Sequence, residues 1–220
     1  MKLLDRLLEL LYPPRCIFCR RFLEKGGPHG GPDVCPACRR VLPWTSMCGR
    51  QKRRGISVCV SPLYYEGPVK DCVHRYKFYG AAAYTAPCAA LMEECVRASI
   101  AGAFDAVSWV PLSRRRLRSR GYDQALLLAE ELAKRLDVPL ISTLKKVRDT
   151  APQSRSGAAK NRYENISGAY RAIDGAAAGR RILLVDDVIT TGATLSECAV
   201  TLRQAGAKDV LCCTFARAHG

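Results

Sequence analysis

The chain has no long apolar run. Nowhere do about 18 uncharged apolar residues follow one another, so a membrane-spanning helix is excluded. A secretory leader is not expected either. Met1–Tyr12 is rich in leucine, but Asp5, Arg6 and Glu9 interrupt what should be an uncharged core. That segment reads instead as a short amphipathic helix stopped by Pro13 and Pro14, and the expected location is cytoplasmic. No internal repeat is visible. Acidic residues are scarce: 20 Asp and Glu stand against 35 Lys and Arg, a formal net charge of +15. Such a balance favours anionic partners, phosphates or nucleic acid, without choosing between them.

Cysteine is abundant, with 12 in 220 residues. Without a secretory leader these read as reduced thiols rather than a disulfide framework. Cys16 and Cys19 form one CxxC knuckle, and Cys35 and Cys38 another. Two knuckles at this spacing point to a four-cysteine zinc site, an unmetallated or redox-active pair being the alternative. The intervening loop (Gly26, Gly27, Pro28, Gly30, Gly31, Pro32) is too rich in turn residues to hold a core, so metal would supply local stability. His29 reads as an exposed loop residue. Cys72, Cys88, Cys95, Cys198, Cys212 and Cys213 fall in apolar patterns, as small core residues do. Cys48 and Cys59 have no CxxC partner; a second, incomplete zinc site is one reading of them.

Two units are expected: an N-terminal helix and zinc module over 1–55, its knuckles within about 13–45, and an α/β domain over 56–220. Arg50–Gly55 reads as a basic connection between them. Ile56–Tyr65 has strand character, with Pro62 marking an edge or a bulge. Helices are expected from Pro68 to about Gly80 and over about 82–100. From residue 104 strands and helices alternate: a strand Ala106–Val110, a loop carrying Arg114, Arg115, Arg116, Arg118 and Arg120, and a helix to about Leu136. A short strand Pro139–Ser142 and a long polar, basic loop over 145–165 follow. A strand over 181–186, a helix from about Thr194 to Ala205 and a strand Val210–Phe215 end the series. This alternation predicts a parallel sheet flanked by helices, with ligands at the carboxyl ends of the strands.

Ile182, Leu183, Leu184 and Val185 suit a strand buried on both faces. Asp186 and Asp187 stand where it should end, and Thr190, Thr191, Gly192, Ala193 and Thr194 lead into the next helix. Turn N–H groups and a positive helix end attract phosphate, while paired carboxylates accept ribose hydroxyls or approach Mg²⁺. With two basic loops converging on the same sheet edge, the pattern describes a polyphosphate site with a sugar in the middle.

The stretch V-D-D-V-I-T-T-G-A-T resembles the phosphoribosyl-pyrophosphate (PRPP) signature of type I phosphoribosyltransferases. Together with V-P-L-S-R-R-R-L-R-S-R-G-Y-D-Q at 110–124, R-D-T-A-P-Q-S at 148–154, Y-K-F-Y-G at 76–80 and the cysteine knuckles, the chain resembles the ComF family of competence-associated, phosphoribosyltransferase-like proteins. The resemblance implies that Asp186 and Asp187 bind the PRPP ribose and that Thr190, Thr191, Gly192, Ala193 and Thr194 wrap its 5′-phosphate. It places Arg120 and Gly121 at the pyrophosphate, Arg148 in a flexible covering loop, and Lys77 at the site. Asp123 stands where the family has Asn, and around Ser156–Asn161 the loop is less typical. Transfer of phosphoribosyl to a nitrogen acceptor with Mg²⁺ is one implied activity. The alternative is a non-catalytic role in DNA uptake, binding single-stranded DNA or DNA-uptake proteins.

Overall fold

The computed structural model describes residues 15–23, 34–78, 80, 82–149 and 165–219. The expected N-terminal helix, the loop with His29, and the stretch 150–164 of the long basic loop lie outside the described residues.

Six strands form one sheet: β1 (Gln51–Arg53), β2 (Ile56–Val60), β3 (Leu63–Tyr64), β4 (Ala106–Trp109), β7 (Arg181–Ile189) and β8 (Asp209–Arg217). Their order is β1-β2-β8-β7-β4, with β3 also on β8. Every pairing is parallel except β1 with β2. A separate antiparallel pair joins β5 (Leu144–Lys146) to β6 (Tyr170–Ala172). The helices are α1 (Pro36–Val41), α2 (Gly67–Phe78), α3 (Ala82–Ile100), α4 (Arg114–Arg120), α5 (Gln124–Leu136) and α6 (Ala193–Gln204). The expected α/β sheet flanked by helices is therefore present, with a cysteine cluster at its N-terminal end.

Ile182 to Val185 are wholly buried, and alternation along β7 sends them to two separate cores. Leu183 and Val185 join Val73 of α2, Leu91 and Met92 of α3, and Leu128 and Leu132 of α5. Ile182 and Leu184 pack with Leu195, Cys198 and Leu202 of α6 and with Leu144 and Tyr170 of the small hairpin. A strand covered on both faces needs a continuous apolar run, which is what the sequence supplies. The six cysteines assigned to the core are all buried.

Four local expectations change. The arginine-rich stretch is not a loop but helix α4, capped by Ser113 and closed by Gly121 in the left-handed region. Arginine has high helix propensity, and a solvent-facing helix need not show apolar periodicity. Pro139–Ser142 forms only a single bridge, Val107 to Leu140, since Pro139 has no N–H to extend a ladder. Pro62 sits at an interruption rather than an edge: β2 and β3 on either side of it pair with the same strand, β8. Gln51–Arg53, inside the supposed connection, is a strand pairing with β2.

The cysteine segment packs on the same body. Cys16, Ile17 and Phe18 are buried in the core under α2 and α3, and Phe18 stacks on Phe215 at 6.5 Å. Arg75 donates to the Ile17 and Phe18 carbonyls at 2.8 and 3.0 Å.

Candidate functional site

Strand β7 does not stop at the aspartates. Asp186 pairs with Thr214, and the ladder with β8 continues to Ile189. On the other side, however, β4 ends at Trp109 opposite Val185. The chain turns away at Val110–Pro111, and the two carboxylates stand just past the end of that neighbour. A cleft of about 250 Å³ opens there.

The cleft gathers Asp186, Asp187, Thr190, Thr191, Ala193 and Thr194 from β7 and the start of α6. Lys77 enters from the last turn of α2, Arg116 and Arg120 from α4, Gln124 from the start of α5, and Lys146 and Tyr170 from the hairpin. Lys77 Nζ lies 2.6 Å from Asp187 Oδ2, both side chains mostly buried. Its position is set by α2, which is tied to α5 on either side: Tyr76 donates to the Gln124 carbonyl at 2.9 Å, and Tyr122 donates to the Tyr76 carbonyl at 2.6 Å.

Electrostatics in the cleft are strained. Burial, followed by the neighbouring Asp187, pushes the Asp186 carboxyl well above the usual carboxylate range. For Lys77 burial opposes the charge, but Asp187 and then Asp186 outweigh it and hold the ammonium above its ordinary value. Burial, with Arg116, pulls Lys146 down. Gln124 Oε1 accepts from Arg120 at 2.8 Å, while its buried Nε2 has no partner among the described residues. A cluster that mixes a disfavoured carboxylate with crowded cations suits a polar ligand bearing hydroxyls and anionic groups.

Gly192 adopts φ 78° at the head of α6 and has no side chain to cap it; the Ala193 N–H reaches the Thr191 hydroxyl at 3.5 Å. Gly121 is also left-handed and closes α4, its N–H donating to the Leu117 carbonyl at 2.8 Å. Arg148 is not among the residues lining the cleft; it donates to the Asn165 and Ser167 carbonyls at 3.0 and 2.7 Å. Asp123 caps α5, its oxygens accepting from Leu112, Ala125 and Leu126. Burial nonetheless raises its carboxyl above the ordinary range, although those N–H groups pull it the other way.

Arg116, Gln124, Lys146 and Tyr170 are cleft residues that pattern reading did not single out. Arg116 was one of five arginines in a stretch without apolar period, and Lys146 lay in a long loop; only tertiary folding selects them.

The four knuckle thiols, Cys16, Cys19, Cys35 and Cys38, converge with all sulfur atoms within 4.8 Å of one another. Cys19 Sγ and Cys35 Sγ are 3.6 Å apart. Tetrahedral zinc with Zn–S bonds of about 2.3 Å needs sulfurs roughly 3.8 Å apart, so the donor set and spacing fit that ion. Among the described residues no such cluster includes Cys48 or Cys59. Cys59 is buried in the sheet, in register with Cys212. The Cys48 carbonyl accepts from the Cys95 thiol at 3.8 Å.

The family profile of the phosphoribosyl transferase domain matches residues 123–220, which include the aspartates and the turn. Competence protein F of Haemophilus influenzae is 30% identical over 229 residues, covering 93% of this chain and 97% of that protein. DNA utilization protein YhgH of Salmonella typhimurium is 34% identical over 81% of each chain. The glutamine PRPP amidotransferase from B. subtilis, solved with ADP and GMP, shares 23% identity at a TM-score of 0.42, over 60% of this chain and 26% of that one. The protein belongs to the ComF family of competence-associated proteins with a phosphoribosyltransferase-like domain.

Proposed function

We propose that the cleft binds PRPP with Mg²⁺ and that the chain acts as a phosphoribosyltransferase-like protein from residue 56 onward, preceded by a zinc-holding module over 1–55. The observation that supports this most is the Lys77–Asp187 pair set beside Asp186, at the mouth of a turn whose helix lacks a side-chain cap. Asp186 and Asp187 would accept the ribose hydroxyls, and N–H groups of Thr191 to Thr194 would hold the 5′-phosphate. Arg116, Arg120, Lys146 and Lys77 would neutralise the pyrophosphate. The hard carboxylate oxygens are suitable ligands for Mg²⁺, which when bound offsets negative charge on the pyrophosphate. In the transfer reaction a nitrogen lone pair of the acceptor bonds to C1 as the C1–O bond to pyrophosphate breaks, the pyrophosphate leaving with that electron pair. The protein's task is to hold the leaving group and exclude water, so no covalent nucleophile is required. PRPP with Mg²⁺ should raise the melting temperature, and Asp186→Ala with Asp187→Ala should abolish the rise. No stabilisation of the unsubstituted protein would overturn the assignment.

A second reading is supported by the N-terminal surface. Arg15 lies over the exposed Phe22 ring at 4.2 Å, and Arg39 over Trp44 at 5.6 Å. Exposed aromatics interleaved with arginines can stack and neutralise a single-stranded nucleic acid, and the relatives' names refer to competence and DNA utilization. Tight, steeply salt-dependent binding of single-stranded DNA without pyrophosphate release from PRPP would favour this role over transfer.

A further inference from the structure

A second concavity, of about 440 Å³, shares no lining residue with the cleft and takes no part in the function proposed above. Arg50, Gln51, Lys52 and Val58 line it from the first hairpin, Ser46, Met47 and Gly49 from the turn before it, and Tyr64 and Arg217 from β3 and β8. Among the described residues three cations and no carboxylate line this space. Glu66, beyond Tyr64, is engaged by His219 at 3.0 Å, and that histidine stacks on Tyr64.

Arg217 is the unusual member. It is only 7% exposed, its Nη1 donates to the Gly49 carbonyl at 2.9 Å, its guanidinium stands over the Tyr64 ring at 5.8 Å, and its buried Nε has no partner among the described residues. Burying a guanidinium without a carboxylate is costly unless an anion completes its surroundings. The wall opposite carries backbone strain of the kind found at binding sites. Met47, Cys48 and Gly49 follow one another at φ 46°, 54° and 58°. Met47 is 82% exposed and, with Val58 and Tyr64, adds an apolar side to the cationic one.

We infer that this concavity is a binding site for a phosphorylated ligand of nucleotide size, its phosphate held by Arg50, Lys52 and Arg217 and its ring against Met47, Val58 and Tyr64. The volume falls within the range of small-ligand pockets. The site is separate from the PRPP cleft, so its occupancy does not depend on the reading given to that cleft.

The test is calorimetric titration of AMP into the full chain and into the Arg50→Glu, Lys52→Glu double variant. Both residues are exposed, so the variant should fold, which circular dichroism would check. Arg116→Glu, in the other cleft, serves as the control. The expected result is a binding component weakened at least tenfold by the double variant and changed less than twofold by Arg116→Glu. Retention of full AMP affinity in the double variant overturns the inference, as does a loss that follows Arg116→Glu instead. A single-stranded oligonucleotide provides the last arm: if its binding depends on Arg50 and Lys52 while AMP does not bind, the surface serves a polyanion and the small-ligand site is ruled out.

Discussion

Arg53 lies flat against Gly192. Its Nη1 donates to the Thr191 carbonyl at 3.2 Å, its Nη2 to Gln51 Oε1 at 2.9 Å, and a Cβ on Gly192 would come within 2.8 Å of Arg53 Cδ. The first hairpin thus braces the turn that heads α6 from behind. Gly192→Ala should be destabilising both through its left-handed φ and through this contact, by roughly 1–3 kcal/mol. Arg53→Ala should leave the fold largely intact but loosen the turn, reducing the PRPP-induced rise in melting temperature. Urea denaturation and thermal shift read the two effects separately; an unchanged PRPP response in Arg53→Ala would deny the brace its role.

Lys77 faces Asp187 with little solvent between them. Lys77→Met removes the cation and leaves two neighbouring carboxylates in a confined cleft. Stability of the unliganded protein should fall on the order of 1–3 kcal/mol. The double substitution Lys77→Met, Asp187→Asn should recover part of the loss, a coupling that a double-mutant cycle in denaturant would measure.

The cysteine cluster is joined to the main core through Cys16, Ile17 and Phe18. Metal analysis should find about one zinc per chain, as a four-thiolate site implies. Stripping it with a strong chelator, or replacing Cys35 and Cys38 by Ser, should lower the melting temperature of the whole chain by roughly 5–10 °C, because each kcal/mol moves a chain of this size about 2–4 °C. A shift confined to the N-terminal segment, seen by hydrogen exchange, would contradict that coupling.

At the start of β7, Asp105 and Arg181 meet at 2.6 Å on the surface. The Arg181 side chain, then its N–H, hold the Asp105 carboxyl down at about 2, from an ordinary 3.8. The folded value is the lower one, so the unfolded chain binds the proton more readily in between. The contribution is complete above the ordinary carboxylate pKa and is lost as pH falls from about 4 toward 2. Asp105→Asn should flatten this part of the acid-stability curve, and an unaltered curve would show that the pair contributes nothing.

Much of this molecule is legible along the chain. The apolar run Ile182–Val185 required a strand covered on both faces. The two CxxC pairs required sulfurs on neighbouring turns, and the acidic pair before a small turn and a helix marked the place where the cleft opens. These are local regularities, decided by backbone period and by donor chemistry at short spacing. Other features depend on chain segments far apart in sequence. Asp186 and Asp187 are open to the cleft because β4 ends opposite Val185 while β7 runs on to Ile189, a matter of strand lengths and not of the acidic pair itself. Arg116 and Lys146 reach the cleft while Arg148 turns to carbonyls of the next strand's approach, although all three belong to equally basic stretches. Arg53 came to rest on Gly192 because β1, which looked like a connection, pairs into the sheet beside β2. Sequence alone determined the doubly covered strand β7, the helices on its flanks and the spacing of the cysteine knuckles. The tertiary structure decided which charges face one another, because that choice is made by burial and distance between residues that no local pattern relates.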